Sequence, residues 1–319
     1  MLTLDAYARL VNEWINNYTV PLSPQGLYEP IIYMLSGGGK RIRPTLLCAA
    51  AHAYGLNPDD VKKQAIGIEM FHNFTLLHDD VMDNADVRHG VPTVHKKWDE
   101  RTAILSGDTM LTLATCAIAD VTQINLLPSI LALFNKTAIE VYEGQQLDMN
   151  FETMSAVSEA DYLEMIRLKT SVLLGCAARM GAMLANANDD YCKSMYDYAT
   201  AMGIAFQLKD DYLDTFGNQL TFGKAIGGDI LNNKKTWLWI DSYNCDPEKV
   251  KIAYSITDPS EKISNVTNLY RELGSDVRCM NLVENYTDKA ISYLEEAGLS
   301  TEAYNFFKGL ALKAISRTH

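Results

Sequence analysis

The sequence predicts an all-α protein, and two observations carry that prediction. Apolar residues recur at spacings of three and four through nearly every segment, the period of helices that bury one face. Alternating apolar runs bounded by turn signals, which would mark half-buried strands, are missing. The 319 residues are 48% hydrophobic, enough for a sizeable core, and without low-complexity stretches or linkers a single domain over residues 1–319 is expected.

Taken in order, residues 2–19 make a first amphipathic helix that Pro21 ends. Ser23 as N-cap and Pro24 at the first helical position open a second, running to Ser36, where Gly37-Gly38-Gly39 stops it. The basic cluster Lys40-Arg41-Ile42-Arg43 then lies in a loop, and Pro44 starts a helix reaching Gly55. Backbone N–H groups at that helix start, with the helix dipole, favour an anion beside the cluster. Asn57-Pro58-Asp59 begins a long helix through about Asn84, roughly 40 Å at the helical rise. Asp86 to Thr93 reads as a polar loop that brings Arg88 near the acidic residues before it. Helices follow at about 98–122 and 128–150. Ser158-x-x-Asp161 resembles a capping box and starts a helix to about Asn186, and another runs from Asp189 to Phe216. A glycine-rich loop spans Gly217 to Gly228, and residues 247–317 form three shorter helices broken at Gly274 and Gly298.

The chemistry concentrates in two Asp-Asp-x-x-Asp runs, Asp79-Asp80-Val81-Met82-Asp83 and Asp210-Asp211-Tyr212-Leu213-Asp214. At about 100° per residue, Asp79 and Asp83 lie about 40° apart on a helix, as do Asp210 and Asp214, so each run forms a carboxylate ridge. Like charges at that spacing repel, and a carboxylate near a helix C-terminus faces the wrong end of the dipole. A divalent cation removes both penalties. Both runs follow apolar sequence, Phe74-Thr75-Leu76-Leu77 and Ala205-Phe206-Gln207-Leu208, so they project from helices that otherwise look buried. Hard oxygen donors without Cys or His select Mg²⁺ over Zn²⁺, and Mg²⁺ usually joins one or two carboxylates to substrate phosphates. Two such ridges predict a phosphorylated substrate between them.

Other groups support or compete with that reading. His72 shares a helical stripe with Leu76, Asp79 and Asp83. Glu69-x-x-His72 suggests a di-iron bundle, but that site needs a second Glu-x-x-His pair, which the chain lacks. Neither Gly37-Gly38-Gly39-Lys40 nor Gly217 to Lys224 has the spacing or the Ser/Thr after lysine of a nucleotide phosphate loop. Lys169, among Met165, Ile166, Leu173 and Leu174, either snorkels or meets an anion. Lys224, Lys234 and Lys235 cluster just past the second ridge. The net charge of −12, with a pI near 5.0, argues against nucleic acid or an anionic membrane surface as partner. Six cysteines without a Cys-x-x-Cys pair read as reduced residues of a cytoplasmic protein. With no leader pattern and no unbroken apolar run of membrane length, no stable membrane anchor is expected.

With these residues assembled, the chain resembles the trans-isoprenyl diphosphate synthases of the polyprenyl synthetase family. The resemblance runs from about Gly38 to Trp237 and rests on ordered motifs: Gly-Gly-Lys-Arg-Ile-Arg-Pro, the two Asp runs, Gly-Gln-x-x-Asp ending at Asp148, Lys169-Thr170-Ser171, and Gly-Lys before Asp-Ile-x-x-Asn-Lys. It implies an all-α bundle around a deep cavity, generally homodimeric, that condenses isopentenyl diphosphate with an allylic diphosphate using Mg²⁺, three ions with substrate bound. By the same resemblance Asp79, Asp83, Asp210 and Asp214 would hold the metal, with Asp80, Asp211 and Asp148 in support. Arg88, Lys169, Lys224 and Lys234 would neutralise the allylic diphosphate, and Lys40, Arg43 and His72 would bind isopentenyl diphosphate. Thr170 and Gln207 would face the developing cation. One departure is His89, where the family usually carries a second arginine after Arg88; it would supply weaker charge to isopentenyl diphosphate. Phe74, five residues before Asp79 and about 7.5 Å along the helix, and Phe71, about 12 Å along it, would limit how far the product tail extends. An aromatic at the nearer depth with no insertion in the Asp run resembles the geranylgeranyl-forming, C20, pattern, with C15 as the alternative.

Overall fold

The computed structural model describes residues 1–88, 90–217 and 226–315, and they are helical nearly throughout. They divide into two compact units: Met1–Asn135 with Cys176–Cys192, and Lys136–Gly175 with the chain from Lys193 onward.

In the first unit, α1 (Leu4–Asn16) is capped by Thr3, whose hydroxyl accepts from the Ala6 N–H, and buries Tyr7, Val11, Trp14 and Ile15 at helical spacing. Helix α2 (Gln25–Ser36) starts one residue later than the sequence suggests, because Pro24 itself is the N-cap, in extended conformation. Helix α3 (Ile42–Ala53) starts two residues before Pro44, with Arg41 as its left-handed N-cap. The long helix expected from Pro58 begins as a 3₁₀ turn, Pro58–Val61, with Asn57 accepting from the Asp59 N–H, and continues as α4 (Lys62–Met82). Nearly every residue of α4 from Gln64 to Phe74 is buried, so it is this unit's central rod.

The expected loop after α4 contains a two-stranded ribbon, β1 (Val87–Arg88) and β2 (Val91–Pro92), with Val87 opposite Pro92 and Arg88 opposite Val91. After the short α5 (Val94–Lys97), Asp99 caps α6 (Glu100–Ala119) by accepting from the Thr102 N–H at 2.9 Å. Two glycines let α6 and α4 approach closely. A Cβ at Gly67 would lie 2.7 Å from Ile118 Cγ1, and one at Gly107 would lie 2.2 Å from His78 Nε2. Helix α7 (Leu127–Thr153) begins in this unit. Glu100–Ala119 and Ile124–Thr153 are each long and apolar enough to cross a membrane, by length and composition, although most of these residues are not buried in the chain. Interspersed polar residues keep either from showing as an unbroken apolar run.

In the second unit, Ser158 caps α8 (Glu159–Ile166), its hydroxyl accepting from the Asp161 N–H at 3.1 Å and donating to Asp161 Oδ2 at 2.6 Å. The single helix expected to Asn186 is interrupted by a π-helical turn, Arg167–Ser171, before α9 (Val172–Leu184), which from Cys176 onward belongs to the first unit. Helix α10 (Asp189–Phe216) matches its expected bounds. After α11 (Gly228–Leu231) comes α12 (Trp237–Cys245), which the periodicity did not mark because Trp237, Leu238, Trp239 and Ile240 are all buried. Four helices, not three, complete the described chain: α13 (Pro247–Tyr254), α14 (Pro259–Glu272), α15 (Ser275–Glu295) and α16 (Thr301–Ile315). The breaks at Gly274 and Gly298 stand as expected, at φ 74° and 60°. Leu208 of α10, Leu238 of α12, Val266 of α14 and Val283 of α15 meet in this unit's core, each such burial stabilising by about 1.5–3 kcal/mol.

Candidate active site

In the first unit, α3 and α4 bring Arg43 and His72 together, Arg43 Nη1 lying 3.0 Å from His72 Nε2. A guanidinium can only donate, so in this pair the imidazole accepts as the neutral ring with its proton on Nδ1. Burial pulls Arg43 down to about 10, opposed by the charge of Glu69. Its Nε is buried without a hydrogen-bond partner, so an incoming anion would restore what desolvation removes. Lys40 stands exposed in the preceding loop. Arg41 departs from the expected basic loop: it is buried, and donates to Glu69 Oε1 at 2.6 Å, Asn12 Oδ1 at 3.0 Å and the Leu35 carbonyl at 2.8 Å.

The first Asp run closes α4. Asp79 and Asp80 are in its last turn, while Asp83 is the C-cap, its N–H donating to the Asp79 carbonyl at 2.8 Å. Asp83 is exposed, Asp79 is partly so, and Asp80 is buried. Arg88 reaches back from β1, its Nε donating to Asp80 Oδ1 at 2.7 Å and its Nη2 lying 3.8 Å from Asp79 Oδ2. Thus Arg88 binds the protein's own carboxylates. Burial raises the pKa of Asp80 and Arg88 lowers it, with a smaller lowering from His95. His95 is a residue the sequence reading missed, because the polar loop was taken to end at Thr93. It is buried, and neither ring nitrogen has a hydrogen-bond partner, nor does Asp80 Oδ2. Upstream on α4, Phe71 meets Phe134 edge-on at 5.2 Å, and Phe74 lies edge-on to His78 at 4.8 Å. His78 in turn donates from Nε2 to the Ile104 carbonyl of α6 at 3.2 Å.

The second unit carries a comparable acidic end on α10. Asp210 and Asp214 are partly exposed and Asp211 is buried, as Asp80 is. Thr170 donates to Gln207 Oε1 at 3.2 Å, Gln207 Nε2 donates to Asp211 Oδ1 at 3.0 Å, and the Tyr162 hydroxyl donates to Asp211 Oδ2. Burial pushes Asp211 well above the ordinary carboxylate range, and the charge of Asp229 pushes further, against those two hydrogen bonds. Asp214 Oδ2 accepts the Asp229 backbone N–H at 3.0 Å. Tyr162 and Asp229 are therefore further parts of this cluster. Asp229 opens the Asp-Ile-x-x-Asn-Lys motif, whereas nothing in the sequence marks Tyr162.

Lys169 sits on the π turn, and its ammonium contacts Asp148 Oδ2 at 2.5 Å. That approach needs Gly144, where a Cβ would lie 2.3 Å from the Lys169 backbone N. Lys234 is exposed, following Asn233 at φ 54°. Lys235 leaves the expected lysine cluster, donating instead to the Phe151 and Glu152 carbonyls at 2.7 and 3.2 Å, where it caps α7. Lys224 and His89 lie outside the described residues.

Among the described residues, no three metal-ligating side chains already converge. The exposed donors of the two runs are carboxylate oxygens, a set that suits Mg²⁺ completing its shell with water and substrate oxygens. Residues 24–273 match the family model described as polyprenyl synthetase.

The chain belongs to the polyprenyl synthetase family.

Membership makes this synthase an isoprenyl-transferring enzyme. It is 40% identical over 314 residues to a geranylgeranyl pyrophosphate synthase of Geoglobus acetivorans, covering 98% of this chain and 97% of that one. It is 38% identical over 245 residues to a geranylfarnesyl diphosphate synthase of Natronomonas pharaonis, covering 71% and 72%. A crystal structure of a geranylgeranyl pyrophosphate synthase superposes with a TM-score of 0.95 at 41% identity, covering 99% of both chains. The all-α class expected from periodicity is thereby established for this synthase.

Proposed function

We propose that this synthase condenses isopentenyl diphosphate with an allylic diphosphate, in a Mg²⁺-dependent reaction, to give C20 geranylgeranyl diphosphate. The observation that carries the reading is the pair of Asp-rich helix ends, each with two accessible carboxylates and one buried one. Both units serve one catalytic domain in this reading, which the single family match over residues 24–273 supports. Asp79, Asp83, Asp210 and Asp214 hold the metal, and bound Mg²⁺ supplies charge stabilisation to the departing diphosphate.

The chain's own residues do the rest. Lys234, Lys169 and Lys224 add positive charge to the allylic diphosphate, and Arg88 keeps Asp79 and Asp80 oriented for it. Lys40, Arg43 and His72 hold isopentenyl diphosphate so that its double bond meets the allylic cation before water does. Gln207, turned by its bonds to Thr170 and Asp211, presents its amide dipole to that cation. Diphosphate released by ionisation accepts the final proton. Phe74 and Phe71 set the length of the tail. Two of the three relatives above bear geranylgeranyl names, which favours C20 over C15.

The working particle in this reading is a homodimer, supported by the exposed Ile104 and Leu105 on α6. Product analysis with isopentenyl diphosphate and the C5, C10 and C15 allylic starters tests the whole. The expected outcome is C20 from every starter, abolished by a chelator and restored by Mg²⁺. Hydrocarbon released from geranylgeranyl diphosphate alone would mean a cyclase instead.

A further inference from the structure

We infer that Arg41, gripped by Glu69, is a positioning residue for the anion site of Lys40, Arg43 and His72, and so governs binding of isopentenyl diphosphate rather than of the allylic diphosphate. The inference rests on the functional reading above and adds a residue pair to it. Glu69 and His72 are one turn apart on the same face of α4, and Arg41 and Arg43 dock onto them from either side of Ile42. Arg41 is 4% exposed, as is Glu69, and the two are 2.6 Å apart. Asn73 Nδ2 steadies Glu69 by donating to its carbonyl at 2.8 Å and to Oε1 at 3.3 Å.

The backbone explains why this pair concerns the site. Arg41 has φ 47° and ψ 37°, a left-handed conformation that a non-glycine residue keeps only when its surroundings impose it. Gly38 and Gly39, just before it, also have positive φ, at 77° and 127°, with open space where a Cβ would stand. The loop turns through these two glycines, and the anchored Arg41 is the point at which it joins α3, on the path between Lys40 and the Arg43 that meets His72. The charges divide accordingly. Arg41 is neutralised by Glu69, whereas Arg43 keeps a buried Nε–H without an acceptor for an incoming oxygen. Apolar groups can replace a buried ion pair without loss of stability, but they cannot impose this turn.

The test is a double variant, Arg41→Met with Glu69→Leu, beside Arg41→Lys. Melting temperature and the separate KM values for isopentenyl diphosphate and an allylic diphosphate are measured for each. The expected result is a folded double variant whose KM for isopentenyl diphosphate rises about tenfold or more while the allylic KM stays within about twofold. Arg41→Lys, which keeps the charge but loses the fork, shifts the same constant in the same direction by a smaller factor. If the double variant fails to fold, Arg41→Lys decides alone. Unchanged KM for isopentenyl diphosphate in a folded variant, or an equal rise for both substrates, overturns the positioning role. A wild-type protein that makes no prenyl product from any starter overturns the functional reading, and this inference with it.

Discussion

Asp211 is costly to the folded protein and useful to the site, and a single substitution separates the two. Its folded-state pKa lies well above the ordinary value because burial and Asp229 oppose the charge, so the folded protein pays for ionisation that the unfolded chain performs freely. The cost is absent below about pH 4, where both states are protonated, and appears as pH rises through the ordinary carboxylate value. Asp211→Asn should therefore melt higher than wild type in chelator at pH 7, with a gap that closes toward pH 4, while prenyl transfer falls. A gap independent of pH in thermal melts would contradict the assignment. Phe74 offers a second experiment at this scale. Phe74→Ala removes a ring held against His78, should destabilise by about 3–5 kcal/mol, and should shift products beyond C20 by chromatography. An unchanged product distribution would remove Phe74 as the stop.

At the scale of elements, the π turn at Arg167–Ser171 presents Lys169 and Thr170, and the glycine of α7 opposite it sets the spacing. Gly144→Ala should push that turn away, costing about 1–3 kcal/mol by denaturant unfolding and lowering kcat more than either KM. Wild-type kinetics in that variant would show that the close approach is dispensable. Helix class and several helix starts were legible because caps and periodicity are local signals, as Asn57 and Ser158 illustrate. The π turn was not, since its apolar spacing runs on from the helix before it. Helix α12 was missed for the opposite reason: buried residues on successive positions leave no amphipathic period to read. The ribbon of β1 and β2 is too short to show alternation.

For the molecule as a whole, the order of motifs revealed the family, because the Asp runs, the basic loop and Lys169-Thr170-Ser171 recur in a fixed sequence. What the order could not reveal was which cation serves the protein itself. Arg41, Arg88 and Lys235 read as equals of Arg43 and Lys234, yet each takes a partner from elsewhere in its own unit: Glu69, Asp80 and the end of α7. Such pairings depend on contacts distant in sequence. The exposed apolar residues of α6 pose the last test at this scale. With Ile104 47% and Leu105 59% exposed, Ile104→Glu with Leu105→Glu should convert a dimer to a monomer by light scattering. A dimer that persists would place the interface on another face.

The missing side chain at Gly107 ties these scales together. An imidazole occupies the space any larger residue would take, and it is pinned to the carbonyl of Ile104, inside the exposed patch. Helix α6 is thus latched to α4 at the position immediately before Asp79. A load applied to the outer side of that helix would be transmitted, through one ring, to the first carboxylate of the acidic end.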